Sequence, residues 1–233
     1  MIDFHTHILP CIDDGSGSIG ESLSLLRLEA RQGVDTVVLT PHFYAGQVRP
    51  TQFLENRQRA WQQLKPYLWP ELPRLYLGAE VQYFEGICDA AELPRLRIEG
   101  TELLLLEMPF SLWSNRVVRD VLELQGRRDI QVVLAHIERY LSMQPKGVWQ
   151  ELREQGVWMQ ANVSFFRDWK TRRRAMGMLS RGQLQFLGSD CHNTKNRRPN
   201  WDDLPEKAWA MAQSAEACCA LTEAPACFGK SCL

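Results

Sequence analysis

The order of its apolar runs constrains this chain more than any other feature. Seven short runs, at residues 2–7, 36–42, 74–83, 102–108, 131–137, 157–163 and 185–190, alternate with longer stretches whose apolar residues recur at helical spacing. The first helical stretch carries Ile19, Leu23, Leu26 and Ala30, with Ser18 and Glu21 placed as a capping box and Gly33 as its stop. The others are expected over residues 51–68, 114–126, 147–156, 171–182 and 206–220. Strand then helix, repeated, lays the strands parallel and puts the helices outside them. Seven such units in 233 residues fit a closed or nearly closed barrel in one domain, residues 1–233, better than an open sheet.

Barrels of this kind gather their functional groups at the C-terminal ends of the strands. Here the runs end in His5 and His7 ("DFHTH"), His42 ("VVLTPH"), Glu80 ("LYLGAE"), Glu107 ("LLLLE"), His136 ("VVLAH"), and Asp190 with His192 ("FLGSDCH"). All five histidines of the chain occupy such positions. Along a pleated strand, residues i and i+2 share a face, so His5 and His7 point into one space and Ile2 and Phe4 fall on the opposite face.

Taken singly, each residue has an ordinary explanation: a lone histidine bonds a backbone carbonyl, and a lone glutamate is solvated. Their collective placement is harder to explain that way, because several carboxylates and imidazoles sharing one mouth are costly to bury without a cation. Mixed imidazole and carboxylate ligands suit zinc, iron or manganese, and a carboxylate-rich set favours manganese or iron. Asp13 and Asp14 precede Gly15; one fits an Asx-type turn, and the other can reach the mouth. Cys191 to Arg197 has the C-x5-R outline of cysteine-dependent tyrosine phosphatases. No glycine lies inside it, however, and Asp190 would raise the thiol pKa, so the match is read as accidental.

Composition removes other classes. With 27 basic and 28 acidic residues there is no net field to attract nucleic acid or a membrane surface. The clusters Arg172, Arg173, Arg174 and Arg197, Arg198 read as solvated surface. The longest apolar run, residues 103–106, is far too short for membrane insertion. Seven cysteines without CxxC pairs read as reduced thiols, and with no leader pattern the expected location is the cytoplasm. The late cysteines, Cys218, Cys219, Cys227 and Cys232, lack zinc-site spacing and receive no role.

The motifs "HILPCIDDG", "TPHF", "GAEV", "LLLEMPF", "AHIERY" and "SDCHN" resemble the PHP (polymerase and histidinol phosphatase) superfamily across essentially the whole chain. Within it they are most similar to the bacterial CpsB/YwqE-type protein-tyrosine phosphatases of capsule and exopolysaccharide systems. The resemblance implies a distorted seven-stranded (β/α)7 TIM-like barrel, the PHP fold, holding three divalent metal ions, with manganese foremost and iron or zinc as alternatives. It implies one ion on His5, His7, Glu80 and Asp190. Glu80 would bridge to a second, also held by Glu107 and His136, and a third would lie on Asp14, His42 and His192. Arg139 and Arg197 would grip the phosphate, with Arg198 and Arg116 as further candidates.

The activity so implied is metal-dependent hydrolysis of phosphotyrosine, with a hydroxide held by the metals attacking phosphorus in line. The substrate would be the tyrosine-rich C-terminal tail of a bacterial capsule-assembly tyrosine kinase. Aromatic residues near the strand ends (Phe43, Tyr44, Tyr83, Phe110, Trp113, Phe165, Phe166) either line the mouth or pack the barrel. Alternatives are a phosphoesterase for histidinol phosphate or a nucleotide, an amidohydrolase, and a non-catalytic metal-binding docking module. The first helix and its loop could form a homo-oligomer contact.

Overall fold

The structure, a computed structural model, describes residues 1–216. Nine parallel strands, β1 (Ile2–Thr6), β2 (Thr36–Leu39), β3 (His42–Phe43), β4 (Arg74–Leu77), β5 (Glu80–Gln82), β6 (Leu103–Glu107), β7 (Gln131–Leu134), β8 (Trp158–Asn162) and β9 (Phe186–Gly188), run in the orders β1-β2-β4 and β3-β5-β6-β7-β8-β9. Six helices accompany them: α1 (Ile19–Arg31), α2 (Pro50–Leu64), α3 (Asn115–Gln125), α4 (Lys146–Glu154), α5 (Trp169–Ser180) and α6 (Glu206–Glu216). The expected end of the last helix, at residue 220, and the four late cysteines lie outside the described residues.

Local chemistry sets the helix ends. The Ser18 hydroxyl accepts from the Glu21 N–H at 3.2 Å, satisfying one orphan donor of α1, and the Glu21 carboxylate reaches back past the cap to accept from the Gly17 N–H at 3.1 Å. Gly33, at φ 84°, takes the left-handed conformation just past its end.

Nine strands arise from the seven apolar runs because two runs are broken. Residues 36–42 were expected as one strand, yet β2 and β3 are separated at Thr40–Pro41, where proline offers no N–H to the ladder. The run 74–83 breaks likewise at Gly78–Ala79. Hydrogen bonds still cross both breaks: Gly78 N–H donates to the Leu39 carbonyl at 2.8 Å and Glu80 N–H to the Pro41 carbonyl at 3.0 Å. The sheet curls until its first and last runs lie side by side. Asp190 N–H donates to the His5 carbonyl, and His7 N–H to the Cys191 carbonyl, both at 2.9 Å.

The "LLLL" run shows why the strands read as continuously apolar: they are covered on both faces. Leu103 and Leu105 join Ile2, Phe4, Val38, Tyr76, Val133 and Phe186 in an inner cluster. Leu104 and Leu106 face the larger cluster shared with the helices. The inner cluster fills the space behind the C-terminal strand ends, where the polar side chains of the mouth converge.

The first strand departs from simple alternation. Ile2 and Phe4 belong to the inner cluster, and Asp3 turns outward to the indole N–H of Trp201, at 3.1 Å. Strict alternation would send His5 outward with Asp3. The pairing of β1 with β2 slips between Asp3 and Thr6, a bulge that turns His5 and His7 into the mouth. The two imidazoles share a space as expected, but Ile2 and Phe4 do not simply face away from them.

Candidate metal centre

All nine side chains that the resemblance names as ligands meet at one mouth, each delivered by a strand end or the loop just after it. His5 closes on His7 with Nε2 atoms 3.1 Å apart. Glu80, on β5, is the hub: its Oε2 lies 3.2 Å from His5 Nε2, 3.4 Å from His7 Nε2 and 2.8 Å from His42 Nδ1, and its Oε1 lies 2.8 Å from His136 Nε2. Glu107, at the end of β6, reaches the same His136 nitrogen at 3.5 Å. Asp14 Oδ1 sits 3.4 Å from both His42 Nε2 and His192 Nε2. Asp190 Oδ1 lies 3.6 Å from His7 Nε2.

Three overlapping groups have ligand atoms mutually within 4.8 Å: His7, Asp14, His42 and His192; His5, His7 and Asp190; and His42, Glu80 and Glu107. Their grouping differs in detail from that of the resemblance, since His42 also neighbours Glu80 and His7 also neighbours Asp14. Two of the nine candidate ligands stand on strained backbone. Asp190 (φ 53°) and His136 (φ 31°) occupy the left-handed region, which for non-glycine residues persists where the surrounding structure holds it.

The donor set fits divalent cations. His192 Nε2 is buried without a hydrogen-bond partner, and His42 Nδ1, although 2.8 Å from Glu80 Oε2, is not aligned for a hydrogen bond to it, which leaves both lone pairs available to a cation. Burial pulls the His7 pKa down, but Asp13 and Glu80 more than offset it and raise it to about 10. His136 likewise rises to about 9 against its burial, through Glu107 and Glu80. Despite burial, Glu80 is held well below the usual carboxylate range by His5 and its other imidazole partners. His192 falls to about 4 through burial and the nearby His7. The acids thus draw positive charge into the mouth: protons on His7 and His136 supply it in the metal-free protein, and a bound cation would take their place.

A layer behind the ligands fixes their orientation. His7 Nδ1 donates to Asp13 Oδ2 at 2.8 Å, and Asp13 Oδ1 accepts from Gly15 N–H at 2.9 Å. Asp13 therefore makes the turn and orients His7 as well, a dual use that sequence reasoning did not assign. Gln160 and Asn162 were also missed. Gln160 Oε1 accepts from the His136 N–H at 2.6 Å and lies 3.4 Å from His5 Nδ1; Asn162 Nδ2 donates to Asp190 Oδ2 at 3.0 Å. Their signal was present in "WMQAN", where two polar residues two apart interrupt a strand otherwise fit for burial.

Two of the four candidate arginines reach the cluster. Arg139 bonds Asp190 Oδ2, and Arg197 donates to Asp190 Oδ1 at 2.8 Å with Asp14 Oδ2 3.7 Å away. Arg116 pairs with Glu85 on exposed surface, and Arg198 is exposed. Cys191 is fully buried on the far side, its Sγ 3.6 Å from Glu29 Oε1, and burial with Glu29 and Asp3 pushes its thiol well above the usual range. Arg197 points at carboxylates, so the C-x5-R outline forms no phosphate loop.

Parallel strands wrapped by helices, with clustered imidazoles and carboxylates at their C-terminal ends, place the chain among curled α/β proteins built around a candidate metal centre. The family model for capsular polysaccharide synthesis, CpsB/CapC, matches residues 1–215, and the chain belongs to that family. It is 30% identical to the tyrosine-protein phosphatase YwqE of Bacillus subtilis over 203 residues, covering 84% of this chain and 79% of the relative. It is 31% identical to the tyrosine-protein phosphatase CpsB of Streptococcus pneumoniae over 212 residues, covering 85% and 86%. A solved structure described as YwqE from Bacillus subtilis and CpsB from Streptococcus pneumoniae, metal-dependent tyrosine phosphatases, shares the fold with TM-score 0.75 at 23% identity and 93% coverage of each chain.

Proposed function

We propose that this protein is a metal-dependent protein-tyrosine phosphatase, a phosphoric monoester hydrolase acting in capsule or exopolysaccharide assembly. The observation that carries the reading is the convergence of three overlapping ligand groups on a mouth flanked by Arg139 and Arg197. The names of the relatives and the family's capsular role support the reaction and its setting. The substrate we assign is the flexible, tyrosine-rich tail of a bacterial capsule tyrosine kinase, met in the cytoplasm. No helix among the described residues is long and apolar enough to cross a membrane. We further read residues 1–233 as one domain and the two hydrogen-bonded strand sets as one distorted seven-stranded barrel. The bonds between the first and last runs support that closure.

We assign three ions, manganese before iron or zinc because carboxylates supply so much of the ligand set. Those ions would be held by His5, His7, Asp14, His42, Glu80, Glu107, His136, Asp190 and His192. When bound, they supply activated water and neutralise charge on the phosphoryl group.

The chain's own residues do the rest. His7 and His192 each commit Nδ1 to a protein acceptor, Asp13 Oδ2 and the Asp190 carbonyl (3.0 Å), which presents Nε2 to the mouth. Arg139 and Arg197 offer planar forks suited to phosphoryl oxygens, and such bidentate contacts fix the ester in line. Arg116 would reach the substrate only after leaving Glu85. A phenol leaves with far less need of a proton than an alkyl alcohol does, so no general acid is required for phosphotyrosine. Metal analysis of the purified protein, paired with rates on a phosphotyrosine peptide and on histidinol phosphate, tests the reading. Faster hydrolysis of histidinol phosphate would move it to a small-molecule phosphoesterase.

A further inference from the structure

Phe110 is the most exposed of the aromatic residues near the strand ends; Tyr44, half-buried, stacks on His42 with ring centroids 4.9 Å apart. Phe43, Phe165, Phe166 and Trp113 are buried, and Tyr83 donates its hydroxyl to Asp120 at 2.5 Å. Phe110 leaves 55% of its surface exposed. It nevertheless lies against the centre: its ring centroid is 6.1 Å from that of His136 and 5.1 Å from that of Tyr140, and the Arg139 guanidinium stands 5.9 Å over its face.

The loop that carries it is tied down. Gln144 is buried; its Nε2 donates to the Ser111 carbonyl at 2.8 Å and its Oε1 accepts from the Trp113 N–H at 3.0 Å. Trp113 in turn bonds the Pro109 carbonyl through its indole N–H at 3.0 Å. These bonds hold Phe110 in the open beside a guanidinium. An apolar ring kept exposed by its own anchored loop gains free energy only when something apolar covers it.

We propose that Phe110 is a specificity-determining residue, the wall on which the aromatic ring of the phosphate ester lies. The proposal rests on the phosphatase reading above. An ester gripped through its phosphate by Arg139 leaves its organic group beside that arginine, and the Phe110 face is the apolar surface offered there. A flat ring can use the whole face in stacked or tilted contact, whereas an alkyl chain covers only part of it. The cation over the same face orients ring and guanidinium together. Selection of aryl over alkyl phosphates then follows from a side chain that supplies no metal ligand.

The test compares Phe110→Leu and Phe110→Trp with the unaltered protein. For phosphotyrosine and p-nitrophenyl phosphate, Phe110→Leu raises KM by about tenfold, the scale of one aromatic pair together with its burial. Its kcat, its KM for phosphoserine and its inhibition by inorganic phosphate stay within about twofold. Phe110→Trp restores the aryl KM. Leu112→Ser, a change at a still more exposed position on the same loop, leaves the aryl-to-alkyl ratio alone and separates ring loss from loop damage.

Calorimetric titration of the metal-loaded protein with phenylphosphonate and methylphosphonate reads the same preference without turnover. Loss of discrimination in Phe110→Leu is expected. Equal effects on aryl and alkyl ligands, or none on either, overturn the assignment. Absence of turnover on every ester in the unaltered protein defeats the phosphatase reading instead, and the phosphonate titrations still decide the role of Phe110.

Discussion

His7 donates from Nδ1 to Asp13 Oδ2 across 2.8 Å, and this bond decides which nitrogen of His7 a cation can use. The same carboxylate oxygen accepts from the His42 N–H at 3.1 Å, so one buried acid sets the position of two candidate ligands. Partners of this kind fix tautomer and ring orientation.

Removing that partner has a defined consequence. In Asp13→Ala, His7 loses its anchor while all nine candidate ligands remain. Metal affinity is expected to fall by about ten- to a hundredfold, with activity recovered at high manganese. Titration of activity against manganese, with metal content measured in parallel, checks it. Unchanged affinity would reduce Asp13 to a turn residue.

The two arginines give the second prediction. Arg139→Ala is expected to lower phosphatase kcat by about a hundredfold, the scale of losing one preorganised donor to the transition state. Metal content should persist, because Asp190 keeps its contacts with Arg197 and Asn162. Loss of metal together with activity would make Arg139 a structural neighbour of Asp190.

Metal removal and thiol chemistry should separate cleanly. A chelator is expected to abolish phosphotyrosine hydrolysis, and added manganese to restore it. Iodoacetamide should leave the folded enzyme active, since the Cys191 thiol is fully buried and its ionisation suppressed. Cys191→Ser should also retain turnover. Inactivation by alkylation with resistance to chelation would return the cysteine mechanism.

Much of this centre was legible because its ligands fall where strands end. Glu107 closes β6, and His42 and Glu80 open the short strands β3 and β5 that continue two of the apolar runs, so alternation delivers all three once the strands are placed. His5, His136 and Asp190 were named for the same reason, but their aim comes from a bulge and two left-handed residues, features that periodicity does not encode. The breaks at Pro41 and Gly78 were passed over because hydrophobic pattern continues across them; only the missing N–H of proline marked the first. Gln160 and Asn162 escaped notice because a polar residue inside a strand is informative only once its face is known. Gly188 was equally silent: a Cβ there would lie 2.7 Å from His5 Cβ, so its lack of a side chain makes room for a ligand.

The last prediction concerns stability and arises on the other side of the first strand. Glu29, on α1, is fully buried beside Asp3, and its Oε2 has no hydrogen-bond partner. Burial and the Asp3 charge raise its pKa well above the ordinary 4.5. The folded protein therefore holds a proton that the unfolded chain releases, and stability falls as pH rises across that interval. The contribution is full below about 4.5 and is lost as pH climbs toward the folded-state value. Glu29→Gln keeps a neutral side chain of the same shape, with an amide that can donate to Asp3. It should flatten the decline of the thermal midpoint between about pH 5 and about pH 8, leaving the variant relatively more stable at the alkaline end. Thermal unfolding of both proteins across that range measures it. A parallel decline in both would mean that Glu29 is ionised in the fold, and that the acid pair is held apart by contacts other than a shared proton.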